Sequence, residues 1–115
     1  PQKLSLRELY IVAQTYEPGS DEYNEVFEVA VRMFPTDEVA NLNAATTAMG
    51  KGDMKSAQKY LAKSGNSPEA EYARGVYKAL NKDFAGAAEI FQKVENRVPQ
   101  AAETLKILSE NKLIK

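Results

Sequence analysis

The chain has no cysteine, no histidine and no tryptophan. Without cysteine there is no disulfide staple, no thiolate metal ligand and no thiol nucleophile, and redox compartment leaves no trace in the residues. Without histidine, the commonest metal ligand and general base are gone as well, so neither a metal nor another cofactor is expected. No apolar run approaches the ~20 residues a bilayer span requires, which argues against direct membrane insertion, and no charged-then-apolar signal peptide opens the chain. An excess of one charge is missing too: 15 lysines and arginines meet 16 acids, for a net charge of -1. Nucleic acid is bound by a concentrated basic face that displaces counterions from phosphates, so it is not an expected partner. The first residue is Pro1 rather than methionine, which reads as a segment of a larger protein whose localisation these residues do not carry.

What remains is helix-forming. The 115 residues fit a single domain with one core or one continuous stack. Alanine occurs 16 times, and prolines and most glycines fall at intervals, at Pro18-Gly19, Pro35, Gly50 and Gly52, Gly65 to Pro68, and Pro99. Between these marks the apolar spacing is three and four, as in Leu6, Leu9, Tyr10, Ala13 and Tyr16, or Tyr23, Phe27, Ala30, Val31 and Phe34, the periodicity of a helix face. Ser5 with Glu8, then Asp37, Asp53 and Asp83, sit where helices should start, accepting orphan amide protons. The pattern predicts an all-α chain with helices at about 4–16, 21–34, 38–50, 53–64, 68–80, 83–95 and 100–113.

The segments also repeat one another. Gly52-Asp53-Met54-Lys55-Ser56-Ala57 returns as Lys82-Asp83-Phe84-Ala85-Gly86-Ala87, and each closing alanine is followed four residues later by bulk, Leu61 or Phe91. Small residues recur at Ala13, Ala45, Gly75 and Ser109, each inside a first helix, where they would admit a neighbouring backbone. This pattern resembles the tetratricopeptide repeat. Leu9, Val12, Ala13 and Tyr16 match its first helix, and Tyr23, Phe27, Ala30 and Pro35 its second. Asn41, Ala44, Ala45 and Ala48 with Ala57, Leu61 and Ser64 form the next copy. The third copy has Glu71, Arg74 and Lys78 at usually apolar positions, then recovers with Gly75, Ala87, Phe91, Val94 and Pro99; Leu105, Leu108 and Ser109 belong to a capping helix. The resemblance implies a right-handed α-α superhelix, one domain over 1–115, with repeats at about 6–35, 38–67 and 68–99 and a cap at 100–113. A non-repetitive helical bundle is the alternative, and a register kept over three copies counts against it.

A second resemblance rests on Leu4-Ser5-Leu6-Arg7-Glu8, Val12-Ala13-Gln14-Thr15-Tyr16 and Ala40-Asn41-Leu42-Asn43-Ala44-Ala45. These residues are similar to the carboxyl-terminal helical segment of Bacteroidales cell-surface proteins that carry an OmpA-type region. It implies a parent protein of the cell envelope, periplasmic or outer-membrane-associated.

Catalytic readings are thin. Asp21, Glu22 and Glu25, or Glu69 and Glu71, would supply paired carboxylates, but each group lies at a helix start, where acids meet the dipole in water. Serines and threonines lack an activating base. Gly50-Lys51-Gly52 lacks the strand and spacing of a phosphate loop and reads as a turn. Gly75 fits a close-contact position, while the sequence gives no reason for Gly86. An enzyme is therefore not expected.

Function is sought in the repeat geometry instead. The resemblance places partner contacts on the concave face of the first helices, at Arg7, Tyr10, Gln14, Leu42, Asn43, Thr46, Met49, Tyr72, Val76 and Ala79. Such a face suits a peptide or a partner helix. The carboxylate-clamp version of the family needs converging lysine, arginine and asparagine, and only Arg7 and Asn43 qualify. The expectation is a non-enzymatic interaction module; the alternative is a spacer, a self-association unit or a domain docking on its own upstream domain.

Overall fold

The start of each helix follows from the residue in front of it. In the computed structural model, which describes residues 4–114, α1 (Leu6–Ala13) opens on a capping box in which Ser5 Oγ accepts from Glu8 N and Glu8 Oε1 accepts from Ser5 N. Ser20, Asp37, Asp53, Ser67 and Asp83 cap α2 (Asp21–Met33), α3 (Glu38–Gly50), α4 (Met54–Leu61), α5 (Pro68–Leu80) and α6 (Phe84–Val94). The last helix, α7 (Pro99–Glu110), has no side-chain cap and begins instead on Pro99, whose fixed φ suits the first helical position and which has no amide proton to satisfy. Among the described residues there are seven helices and no strand.

These positions lie close to those expected from the sequence, with three ends drawn in. The first helix stops at Ala13 rather than near 16, the fourth at Leu61 rather than near 64, and the seventh at Glu110 rather than near 113. In all three, the residues that follow tighten into i to i−3 bonds: Tyr16 N donates to Ala13 O at 3.0 Å, Ser64 N to Leu61 O at 3.2 Å, and Lys112 N to Ser109 O at 3.0 Å. Such tightening at a helix end satisfies carbonyls that have no intrahelical partner.

The helices fall into two compact units, Pro1–Ser64 with α1 to α4 and Gly65–Lys115 with α5 to α7. In the first, Leu9, Ala13, Phe27, Ala30, Val31, Ala40 and Ala44 form the core, with the Tyr23 and Tyr10 rings against Phe27 at 4.9 and 5.7 Å. In the second, Phe91 is fully buried among Ala87, Val94, Val98, Ala101 and Leu108, with the Tyr72 ring 5.2 Å away. A β-carbon on Gly75 would lie 2.4 Å from the Phe91 ring, so the ring fits only because the residue beneath it has none. Ala13, Ala45 and Gly75 are buried, as close-contact residues should be. Ser109 is not: it is exposed on α7, and Ala101 and Leu108 face the core instead.

The repeat is clearest in the turns. Gly52, Lys82 and Lys112 stand thirty residues apart and all have positive φ, at 78°, 66° and 57°. Each is followed by a residue whose amide donates five residues back: Asp53 to Ala48 O at 2.8 Å, Asp83 to Lys78 O at 2.8 Å, Leu113 to Leu108 O at 2.9 Å. This is the helix stop that favours glycine, and lysine occupies it twice. Replacing Lys82 by glycine should therefore raise stability by about 0.5–1 kcal/mol, the relief of left-handed strain outweighing the added chain entropy. Urea unfolding would show it as a higher midpoint with unchanged slope; a lower midpoint would refute it.

Gly86 also finds its reason. It is the third residue of α6, and its amide donates to Asp83 Oδ1 at 3.0 Å. A β-carbon would meet that carboxylate at 2.4 Å. Ser56, thirty residues earlier, carries a β-carbon under the same kind of cap from Asp53. The glycine thus lets Asp83 hold the cap while its other oxygen lies 3.5 Å from Lys78 Nζ.

Candidate protein-interaction surface

Ten residues are expected to meet a partner, and the structure separates them by what they already touch. Arg7, Gln14 and Thr46 are exposed. Leu42 and Asn43 are half-buried, with Asn43 Nδ2 donating to Val39 O at 3.1 Å. Tyr10 lies on Phe27 and its hydroxyl donates to Asp37, the cap of α3. Met49 is buried. Tyr72, Val76 and Ala79 pack on the core of the second unit, and the Tyr72 and Thr104 hydroxyls are 3.1 Å apart. Arg7, Tyr10, Gln14, Leu42, Asn43, Thr46 and Met49 thus belong to the first unit, Tyr72, Val76 and Ala79 to the second. Tyr10 and Tyr72 do matching work, each resting on a phenylalanine and bonding a polar side chain of a later helix or its cap.

Burial raises the Tyr10 hydroxyl above the ordinary tyrosine value, and its bond to Asp37 and the charge of that carboxylate push it the same way. The folded chain therefore holds this proton more tightly than the unfolded chain. Its contribution to stability is complete below pH about 10 and is lost as the pH climbs through the raised value. Tyr10→Phe should remove this component, so the difference in melting temperature between parent and variant shrinks at strongly alkaline pH. A difference that stays constant from neutral pH upward would show that the hydroxyl bond carries no such coupling. At exposed caps the effect has the opposite sign: Ser5 holds the Glu8 carboxyl below the usual range, and Ser56, with Lys51 and Lys55 adding to it, does so for Asp53.

The exposed apolar surface lies elsewhere. Leu4, Val12 and Tyr16, all more than a third exposed, line a groove with Leu9, Val26 and Val29, and Glu22 and Glu25 stand at its rim. It encloses about 300 Å³ between α1 and α2. Ile11, 55% exposed, extends the apolar surface of α1. Val12 and Tyr16 match core positions of the repeat pattern, yet here they face outward. A signal for this is present in the chain: Leu9 to Ala13 is an unbroken apolar run, and such a run wraps more of a helix than one core can cover.

A second, polar cleft of about 200 Å³ lies in the same unit, with Glu28 and Arg32 on one wall, Lys51, Asp53 and Tyr60 on the other, and Val31, Ala44 and Ala48 on its floor. Of the acids considered for catalysis, Glu22 and Glu25 stand at the rim of the apolar groove, Asp21 and Glu69 are exposed at helix starts, and Glu71 pairs with Arg74 at 2.8 Å. Among the described residues there is no group of three or more acids arranged to hold a metal, and no helix is long and apolar enough to cross a membrane. Compared with protein-family models, with curated proteins and with solved structures, the chain matches none.

Proposed function

We propose that this chain is a tetratricopeptide-like helical-repeat module of a larger protein, non-enzymatic, whose work is to hold a peptide or a partner helix. The observation that carries the binding role is the α1–α2 groove, where Leu4, Val12 and Tyr16 remain open to solvent beside Val26 and Val29. A contiguous apolar patch rimmed by polar groups marks an interaction site, and helix-in-groove recognition uses such anchors at helical spacing. The repeat reading is supported by the turn that returns at residues 52, 82 and 112 and by the caps at Asp53 and Asp83.

We assign the contact surface to the α1–α2 groove rather than to the first-helix face, because Tyr10, Tyr72, Val76 and Ala79 already pack on the cores of their own units and Met49 is buried. Glu22 and Glu25 at the rim favour a partner helix with basic residues flanking its apolar face. A photo-crosslinker placed at Val12 or Tyr16 should join the partner in the parent organism's extract, and Val12→Glu with Tyr16→Glu should abolish capture while leaving the helical circular-dichroism signal unchanged. Capture that survives both substitutions would rule out the groove.

A further inference from the structure

The first unit carries two charged ridges, one of each sign. On α4, Ala57 and Leu61 are buried, and Lys55 and Lys59 stand one turn apart on the opposite, exposed side. Lys63, just after the helix, continues the same step of four, about 6 Å along a helix axis, and Lys51 stands in the turn before α4. No acid interrupts the stretch from Met54 to Ser64. On α2, Phe27, Ala30 and Val31 are buried, and Asp21, Glu25 and Glu28 lie on the opposite, exposed side at i, i+4 and i+7. The polar cleft separates the two helices, with Glu28 and Arg32 on the α2 wall. One ion pair bridges them, Lys51 to Glu28 at 3.4 Å, and both side chains stay about half exposed or more. Among the described residues, Lys59 and Lys63 pair with no carboxylate.

We infer that this face binds a second copy of the chain, the lysine ridge of each protomer lying on the acidic ridge of the other. One chain carries both halves of the contact: cations at a step of four on α4, carboxylates at steps of four and three on α2. Reciprocal pairing of unlike patches is the self-complementary contact that a two-fold dimer requires. A polyphosphate fits the face less well, because residues 4–64 hold six cations against nine carboxylates and Glu28 of the acidic ridge already pairs with Lys51. The contact shares Glu25 with the rim of the apolar groove, while its other members, Asp21, Glu28, Lys55 and Lys59, lie outside that groove.

The affinity comes from exposed charges, so it depends on salt. Sedimentation equilibrium of the 115-residue chain should show dimer at about 0.01 M salt and monomer at about 1 M, as screening shortens from about 30 Å to about 3 Å. Lys55→Glu with Lys59→Glu should give a monomer at low salt, and so should Asp21→Lys with Glu25→Lys. An equimolar mixture of the two variants should dimerise again, since each then meets its opposite charge at both contacts. Val12→Glu with Tyr16→Glu should leave the dimer intact, which separates this contact from the groove. A parent chain that is monomeric at low salt, a dimer that neither reversal weakens, or a mixture that fails to recover association would overturn the inference.

Discussion

Phe91→Ala should cost about 3–5 kcal/mol, the usual range for deleting a buried ring. Its ring is wholly buried, lies on the bare backbone of Gly75, contacts Tyr72 and touches residues of α6 and α7. Collapse around the void is limited on the side of its small neighbours: Ala87 and Ala101 cannot extend into it, and Gly75 has nothing to offer. Both the transfer and the cavity contributions should therefore be felt. The second unit holds only three helices, so this loss is a large part of what keeps them together. Amide hydrogen exchange on the variant should lose protection in α5 to α7 first. A measured cost below about 1 kcal/mol would show that the site relaxes in a way its small neighbours do not suggest.

The same pair explains how far the sequence could be read. Alanine followed by bulk four residues along the same helix was visible as Ala57 with Leu61 and Ala87 with Phe91, the small residues Ala45 and Gly75 were visible as close-contact positions, and the helix starts were visible in Ser5, Asp37, Asp53 and Asp83. These signals are local: a cap or a small residue needs only its own turn of helix to declare itself. The turn at Lys82 and Lys112 was hidden, since lysine carries no mark of a left-handed backbone, and only Gly52 showed it. Partner-facing residues were harder still. Tyr10 and Tyr72 have the composition of contact residues, and only tertiary structure shows that their hydroxyls are taken by Asp37 and Thr104. Conversely, Val12 and Tyr16 follow the core spacing of α1, and which side of α1 is left uncovered depends on where α2 packs. The lysine ridge on α4 was likewise dispersed in sequence, one residue in four, and became a ridge only once Ala57 and Leu61 were turned inward.

Asn41 offers the second large effect. It matches a bulky apolar position of the repeat pattern, yet it is a polar side chain with 1% of its surface exposed. Its Nδ2 donates to Pro35 O at 3.0 Å and to Asp37 O at 2.8 Å, tying the turn between α2 and α3 to the first turn of α3. Asp37 O also accepts from Asn41 N, so the Pro35 carbonyl is the group that depends most on this side chain. Asn41→Leu keeps the volume, removes both donors and should cost about 1–3 kcal/mol. Asn41→Asp keeps the shape but turns acceptors toward two carbonyls in a buried place, where ionisation is unfavourable, so its folded-state pKa rises above the unfolded value. Its stability should be greatest at acid pH, where the carboxyl keeps a proton to donate, and should fall as the pH rises through that raised pKa. At neutral pH Asn41→Asp should then be the less stable of the two variants. Urea unfolding of both from acid to neutral pH tests this. A leucine variant as stable as the parent would mean that the amide ties nothing, and an aspartate variant insensitive to pH would mean that the site admits water.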